Sequence, residues 1–231
     1  MQLVIGNKNY SSWSLRPWLA MVEFGIPFEE VKVRFDSFAP DSEFKHRLLA
    51  LTPTGRVPVL VDDDGFTIWD TLAIVETLAE RHPHLAMWPR EPRERARART
   101  LCAEMHAGFA ALRQALPVNI EARLPEIGRM VLQREPAVAA DVARLVQMWS
   151  GQLAAQGGPM LFGAFTIADA FFAPVCTRLR TYGIPVPAPI DGYIDRVFAL
   201  AGMRRWVADA LAERDFLSFE EPYRGSPSPA A

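Results

Sequence analysis

Three short segments carry the residue types that chemistry needs. The first is Asn9-Tyr10-Ser11-Ser12-Trp13-Ser14-Leu15-Arg16, in which four hydroxyls sit just ahead of a helical period. A serine at a helix start caps an orphan amide, and Ser12 or Ser14 is placed to do so. A hydroxyl donor at the positive end of a helix also makes a seat for an anion, a thiolate included. The second segment is Thr54-Gly55-Arg56-Val57-Pro58, where a proline opens a strand and either isomer of the preceding peptide bond is open. A bend there exposes the backbone N–H and C=O of Val57 to an extended ligand, which can pair with them as an added strand does. The third is Asp70-Thr71 at the start of another helix. Aspartate there is ordinary capping, and the pair can also grip an amine through Asp70 and a carboxylate through Thr71 and the helix-end amides.

The remaining composition excludes several other chemistries. The four histidines (His46, His82, His84 and His106) lack metal-ligand spacing, so no metal is expected. No GxGxxG, GxxxxGK or HExxH motif occurs. Cys102 and Cys176 form neither a CxxC pair nor a disulfide framework; two lone thiols fit buried core positions and a reducing, cytoplasmic compartment. The 25 basic and 27 acidic side chains leave a formal charge of −2, which argues against a nucleic-acid or anionic-membrane partner. Arg93, Arg95, Arg97 and Arg99 form a basic run at a helix start, fitting a solvated face or a subunit contact. The apolar start, Leu3-Val4-Ile5, is too short for a signal peptide, and no run approaches the length of a membrane span. With 50% hydrophobic residues in 231, the chain has ample material for a core.

The elements that must position the three segments follow from periodicity. Leu3-Val4-Ile5, Glu30 to Phe35, Val57 to Val61 and Phe66 to Trp69 read as strands, the last two joined by the Asp62-Asp63-Asp64-Gly65 turn. Helices are expected from Ser14 to Gly25, around Phe44 to Leu51, and from Asp70 to Ala79. The order is β-α-β-α-β-β-α over residues 1–82, followed by a proline-bracketed linker at 83–91. Residues 92–231 are helical almost throughout. Leu101, Met105, Phe109, Leu112 and Leu116 form one apolar stripe, Val138 to Leu153 a second, and Ile167, Phe171, Val175 and Leu179 a third, which Pro174 should kink. The tail from Pro222 reads as frayed.

In this order, the Ser-rich loop, Pro53-Thr54-Gly55-Arg56-Val57-Pro58-Val59-Leu60 and Trp69-Asp70-Thr71-Leu72-Ala73-Ile74 together resemble the thioredoxin-like half of a cytosolic glutathione S-transferase. Phe165-Thr166-Ile167-Ala168-Asp169-Ala170 resembles the capping motif at the start of that family's core helix, with Thr166 as cap and Asp169 closing the box. The resemblance implies an α+β thioredoxin-like domain followed by an all-α bundle. It also implies a cytoplasmic, detoxifying homodimer with glutathione as co-substrate and a small hydrophobic electrophile as the second substrate. Ser11-Ser12-Trp13-Ser14 is most similar to the serine-type, zeta-like loop, where Ser-Ser-Cys precedes the helix. By that match Ser11 is the catalytic serine, Ser12 its hydroxyl neighbour, and Trp13 stands where the zeta pattern has cysteine. Tyr10 is a competing, weaker hydroxyl. Arg56, Val57, Pro58, Asp70 and Thr71 would bind glutathione, and Trp13, His106, Phe109, Leu112 and Phe172 would face the electrophile. Two alternatives stay open: an isomerase of the maleylacetoacetate type, and a non-catalytic binding protein on the same fold.

Overall fold

In a computed structural model, which describes residues 1–226, the N-terminal part is a four-stranded sheet ordered β2-β1-β3-β4. The strands are β1 (Gln2–Ile5), β2 (Glu29–Lys32), β3 (Val59–Val61) and β4 (Thr67–Trp69). β1 and β2 are parallel, with Val4 opposite Val31, and the helix α1 (Ser12–Glu23) makes the crossover between them. β3 runs antiparallel to both β1 and β4. Strands are shorter than the alternating pattern suggested, since β2 ends at Lys32 although the Val33 N–H still reaches Ile5 O.

Side chains alternate across the sheet, as strand geometry requires. Leu3, Ile5 and Leu60 face α1 and α3 (Thr71–Arg81), joining a core that runs on into the helical part. Val4 and Val59 face the other way, against Phe44 and Leu48 of α2 (Glu43–Leu49). Phe35 closes over Gly6 so tightly that a Cβ there would lie 2.2 Å from its ring. Only glycine lets the loop after β1 pass under that ring.

The helical part comprises α4 (Pro92–Ala107), α5 (Ala110–Ala115), α6 (Pro125–Arg134), α7 (Pro136–Gln156), α8 (Ile167–Thr181), α9 (Ala188–Ala199) and α10 (Ala201–Glu213). α8 is its axis, buried along almost its whole length and unbroken through Pro174. Asp169 fixes its start. One carboxylate oxygen takes the Thr166 N–H (2.8 Å) and hydroxyl (3.2 Å), and the other takes the Leu161 N–H and the Tyr193 hydroxyl, each at 3.1 Å. Burial lifts this carboxyl to about 6 against those stabilising bonds.

α1 is sandwiched between the sheet and α8, so it carries apolar and aromatic groups on all sides. Trp18 meets Trp206 of α10 edge-on at 5.1 Å, and the Lys8 ammonium lies 4.7 Å from the Trp18 ring centre while pairing with Glu30 and Asp209.

The chain beyond α10 does not fray at Pro222. It folds back as a strap across the N-terminal part. Asp215 takes the Arg34 guanidinium through two bonds and Asn7 through a third. Leu217 is buried beside Tyr10 and Phe35, a short 3-10 turn spans Ser218–Glu220, and the Tyr223 hydroxyl reaches Ala115 O at 2.7 Å. The end of the expected frayed tail, 227–231, lies outside the described residues.

Candidate functional site

Two adjoining cavities open at the N-terminus of α1. The smaller, about 370 Å³, is lined by Thr54, Arg56, Val57, Pro58, Trp69, Asp70, Thr71 and His106. The larger, about 640 Å³, lies between the Tyr10-to-Trp13 loop, the aromatic cluster Phe35, Phe38 and Phe44, and the residues Arg113, Arg178 and Glu220. Trp13, Arg56, Val57 and Arg113 line both. The chain therefore gathers all three of its chemistry-bearing segments around one connected space.

Local structure explains each placement. Ser11, not Ser12 or Ser14, is the N-cap of α1; its oxygen accepts the Ser14 N–H at 3.4 Å. The Ser11 hydroxyl donates to Ser14 Oγ at 2.7 Å, and that oxygen in turn accepts the Gly6 N–H at 3.2 Å. Ser12, one residue later, is half-buried on the wall of the larger cavity, and its hydroxyl has no hydrogen-bond partner among the described residues.

Tyr10 is withdrawn from this role. Its hydroxyl donates to Glu221 Oε1 at 2.7 Å and accepts the Leu217 N–H at 3.3 Å. Burial first, and then the bond to Glu221, push its ionisation far above the ordinary phenol value. A phenol so held is a poor donor to any sulfur in the cavity.

The Val57-Pro58 peptide is cis. Asp70 caps α3 from a left-handed backbone conformation (φ 75°), with Oδ1 accepting the Leu72 N–H at 2.9 Å and the Ala73 N–H at 3.4 Å. Its other oxygen lies 3.3 Å from His106 Nε2, and the carboxylate is nearly half exposed to the smaller cavity. The Thr71 hydroxyl is turned inward to Trp13 O at 3.4 Å, so it fastens α3 to the start of α1.

Four of the residues expected to face an electrophile lie off the wall of the larger cavity. His106 lines the smaller cavity against Asp70, edge-on to Trp13 at 5.2 Å. Phe109, Leu112 and Phe172 are core residues, and Phe172 packs edge-on to Trp149. The reason for the first two is a break at Gly108: Phe109 adopts a left-handed conformation (φ 56°), so α5 starts a new helix and the stripe counted across 101–116 changes face. Trp13 alone of the five lines the larger cavity.

The larger cavity instead carries a group of cations that periodicity had hidden. Arg178 is 4% exposed on α8, its Nε bonded to Leu116 O and Nη1 to Pro174 O, with its head on the cavity wall. Arg113 lies with its guanidinium 4.7 Å from the Trp13 ring centre, and the buried Arg16 covers the same indole at 4.2 Å. Burial, and then repulsion from Arg178 and Arg113, lower the Arg16 guanidinium to about 9; burial followed by repulsion from Arg113 lowers Arg178 to about 10. Arg16 Nη1 is buried without a hydrogen-bond partner. Arg113 and Arg178 line the larger cavity with Lys45 and Arg56, and this excess of cations raises its potential. No cluster of three or more His, Cys, Asp or Glu that could hold a metal is found among the described residues.

Comparison with known proteins places the fold in a family. The family model described as "Glutathione S-transferase, N-terminal domain" matches residues 10–81, and that described as "Glutathione S-transferase, C-terminal domain" matches 95–209. The chain belongs to the glutathione S-transferase family. The curated relatives include a probable maleylacetoacetate isomerase of Caenorhabditis elegans, 32% identical over 101 residues, a match that covers 44% of each chain. They also include a stringent starvation protein A homolog of Haemophilus ducreyi, 23% identical over 184 residues and 78% of each chain. Among solved structures, a glutathione transferase homolog from Burkholderia with bound glutathione is 25% identical, with a TM-score of 0.68 over 91% of this chain and 97% of that one. A maleylpyruvate isomerase described as a zeta-class bacterial glutathione transferase has the same fold, with a TM-score of 0.67 at 23% identity over 91% and 98% of the two chains. No helix of the described residues in this family member is long and apolar enough to cross a membrane.

Proposed function

We propose that this chain is a glutathione-dependent enzyme that adds the glutathione thiolate to a small electrophile with an apolar body and a carboxylate. The observation that carries the reading is the connected cavity. Its lining offers serine hydroxyls at the positive end of α1 together with Arg113 and Arg178. In this reading glutathione lies in the smaller cavity. Asp70 holds its ammonium group, the Val57 backbone pairs with its cysteinyl peptide, and Arg56 holds the far carboxylate; Pro58 shapes the bend and Thr71 fixes the start of α3. The sulfur then lies beside Ser11 and Ser12. The electrophile occupies the larger cavity, its body against Trp13 and Phe38 and its carboxylate on the two arginines.

An isomerase begins with the same addition and later expels the thiolate. The match to proteins named maleylacetoacetate isomerase favours keeping that second reading, while Trp13, standing where the zeta-like pattern that this loop resembles has cysteine, counts against it. Exposed Phe66 and Trp69 at the β4 edge, together with the arginines of α4, supply a face for a second copy of the chain.

The test is retention on immobilised glutathione, followed by turnover of ethacrynate, an enone acid, against its methyl ester. A charge-assisted contact worth about 1.5–3 kcal/mol predicts that the acid is favoured about 10- to 100-fold. Arg113→Met should remove most of that preference with little effect on the ester. Lack of retention, or equal rates on acid and ester, refutes the reading.

A further inference from the structure

Among the described residues that line the larger cavity, Glu220 alone carries a carboxyl group, and the mechanism so far does not use it. It reaches the cavity from the C-terminal strap, and its two neighbours clamp it there. Leu217, at the start of its turn, is buried and bonded through its N–H to the Tyr10 hydroxyl. Glu221, immediately after it, accepts the Tyr10 hydroxyl at 2.7 Å and the Asn119 amide at 2.8 Å. The backbone at residue 220 is closed by its N–H to Leu217 O at 2.8 Å. The side chain itself makes no hydrogen bond or ion pair among the described residues, so its carboxyl is free to act on whatever fills the cavity.

We propose that Glu220 is the proton donor that completes thiol addition in this cavity. The proposal rests on the reading above, and concerns electrophiles whose carbon–carbon double bond is conjugated to a carbonyl. The glutathione sulfur forms a bond to the β-carbon, and the π pair moves onto the α-carbon as an enolate. The Glu220 O–H bond breaks, its proton forms a C–H bond at the α-carbon, and a carboxylate remains. The thiol proton of the next glutathione restores the acid. Thiol plus alkene thus gives a thioether, and nothing is oxidised or reduced.

The other cavity groups do not serve as well. Lys45 of α2, Arg56 ahead of β3, Arg113 of α5 and Arg178 of α8 face the same space as cations, with the Lys45 ammonium bonded to Gly55 O. The Tyr10 hydroxyl already donates its hydrogen bond to Glu221. Burial, and then the neighbouring Glu221 charge, raise the Glu220 carboxyl to about 7, where an acid both gives up and regains a proton readily near neutrality.

Glu220→Gln tests the assignment through two substrates that share the sulfur but not the proton. Addition to ethacrynate needs a proton delivered to carbon; displacement of chloride from chlorodinitrobenzene needs none. In the wild type, kcat/KM for ethacrynate should fall as pH rises above about 7, where the donor is ionised. The variant should lose that descending limb and about tenfold or more of its kcat on ethacrynate. Its rate on chlorodinitrobenzene, and its affinity for glutathione, should stay within about twofold. The bound thiol should titrate at the same or a lower pH, because a like charge has been removed. Glu220→Asp should restore the limb in part. A variant that slows both reactions alike shows that the strap has loosened and overturns the assignment, as does an unchanged ethacrynate profile. If the wild type itself neither binds glutathione nor uses either substrate, the underlying functional reading fails with it.

Discussion

Replacing Ser11 and Ser12 one at a time by alanine separates two hydroxyls that look alike in the sequence. To reach a thiolate, the Ser11 hydroxyl must leave Ser14 Oγ, to which it donates at 2.7 Å. A neutral hydrogen bond is worth about 1 kcal/mol net and one to a charged group about 1.5–3. The exchange therefore stabilises the anion by about 0.5–2 kcal/mol, or about 0.4–1.5 units of thiol pKa at 1.36 kcal/mol per unit. Among the described residues Ser12 has no partner to give up, so its contact delivers the whole 1.5–3 kcal/mol, about 1–2 units. Ser11→Ala should also destabilise the fold by about 1 kcal/mol, because the cap on the Ser14 amide is lost, whereas Ser12→Ala should not. The assay is the ultraviolet absorbance of bound glutathione thiolate against pH, with urea denaturation of each variant alongside. At pH 7, turnover should fall about 3- to 30-fold for Ser11→Ala and about 10- to 100-fold for Ser12→Ala, each recovering as pH rises. A titration that moves further in Ser11→Ala than in Ser12→Ala, with unchanged stability in both, would refute the exchange argument. A titration that moves in neither variant leaves the α1 terminus alone to set the sulfur's charge.

Asp70→Asn keeps the side-chain oxygen that caps α3 but removes the charge facing the smaller cavity. Calorimetry should show glutathione bound about 10- to 100-fold more weakly with stability within about 0.5 kcal/mol of wild type; equal affinity would make Asp70 a cap alone. Glu220→Gln should change stability with pH in a set direction. The native carboxyl, raised to about 7 by burial and by Glu221, holds its proton more tightly than the unfolded chain does, so the wild type loses stability as pH climbs from about 4.5 to about 7. The variant should match the wild type in urea denaturation near pH 4.5 and exceed it at pH 8 by about 1–3 kcal/mol; identical pH profiles would show the carboxyl to be well solvated.

What sequence could and could not reveal here follows from the range of the interactions involved. The β-α-β-α-β-β-α order, the cap at Asp70 and the Thr166–Asp169 box rest on contacts a few residues long, and local pattern is enough to reveal them. The same holds for the bend at Pro58, whose position is plain while its isomer is not. Phe109 and Leu112 were misplaced because a stripe predicts a face only while the helix is continuous, and the left-handed turn at Phe109 resets the rotation. Phe172 was misplaced, and Arg178 passed over, for a different reason. Amphipathic reading assumes that one side of a helix meets water, and α8 meets protein on every side, so a buried arginine there looks like a solvated one and a core phenylalanine like a pocket wall. A basic residue inside an otherwise apolar, enclosed helix was the available clue, since such a charge is retained only with partners or a ligand to answer it. The strap left no local trace at all. Tyr10 meets Glu221 across 211 residues of sequence, and the carboxyl beside that contact enters the cavity only once the whole molecule has closed. The residues lining the smaller cavity were therefore legible, because loops and helix ends build that wall locally. Arg178 and Glu220 on the larger cavity were not, because distant segments meet to form it.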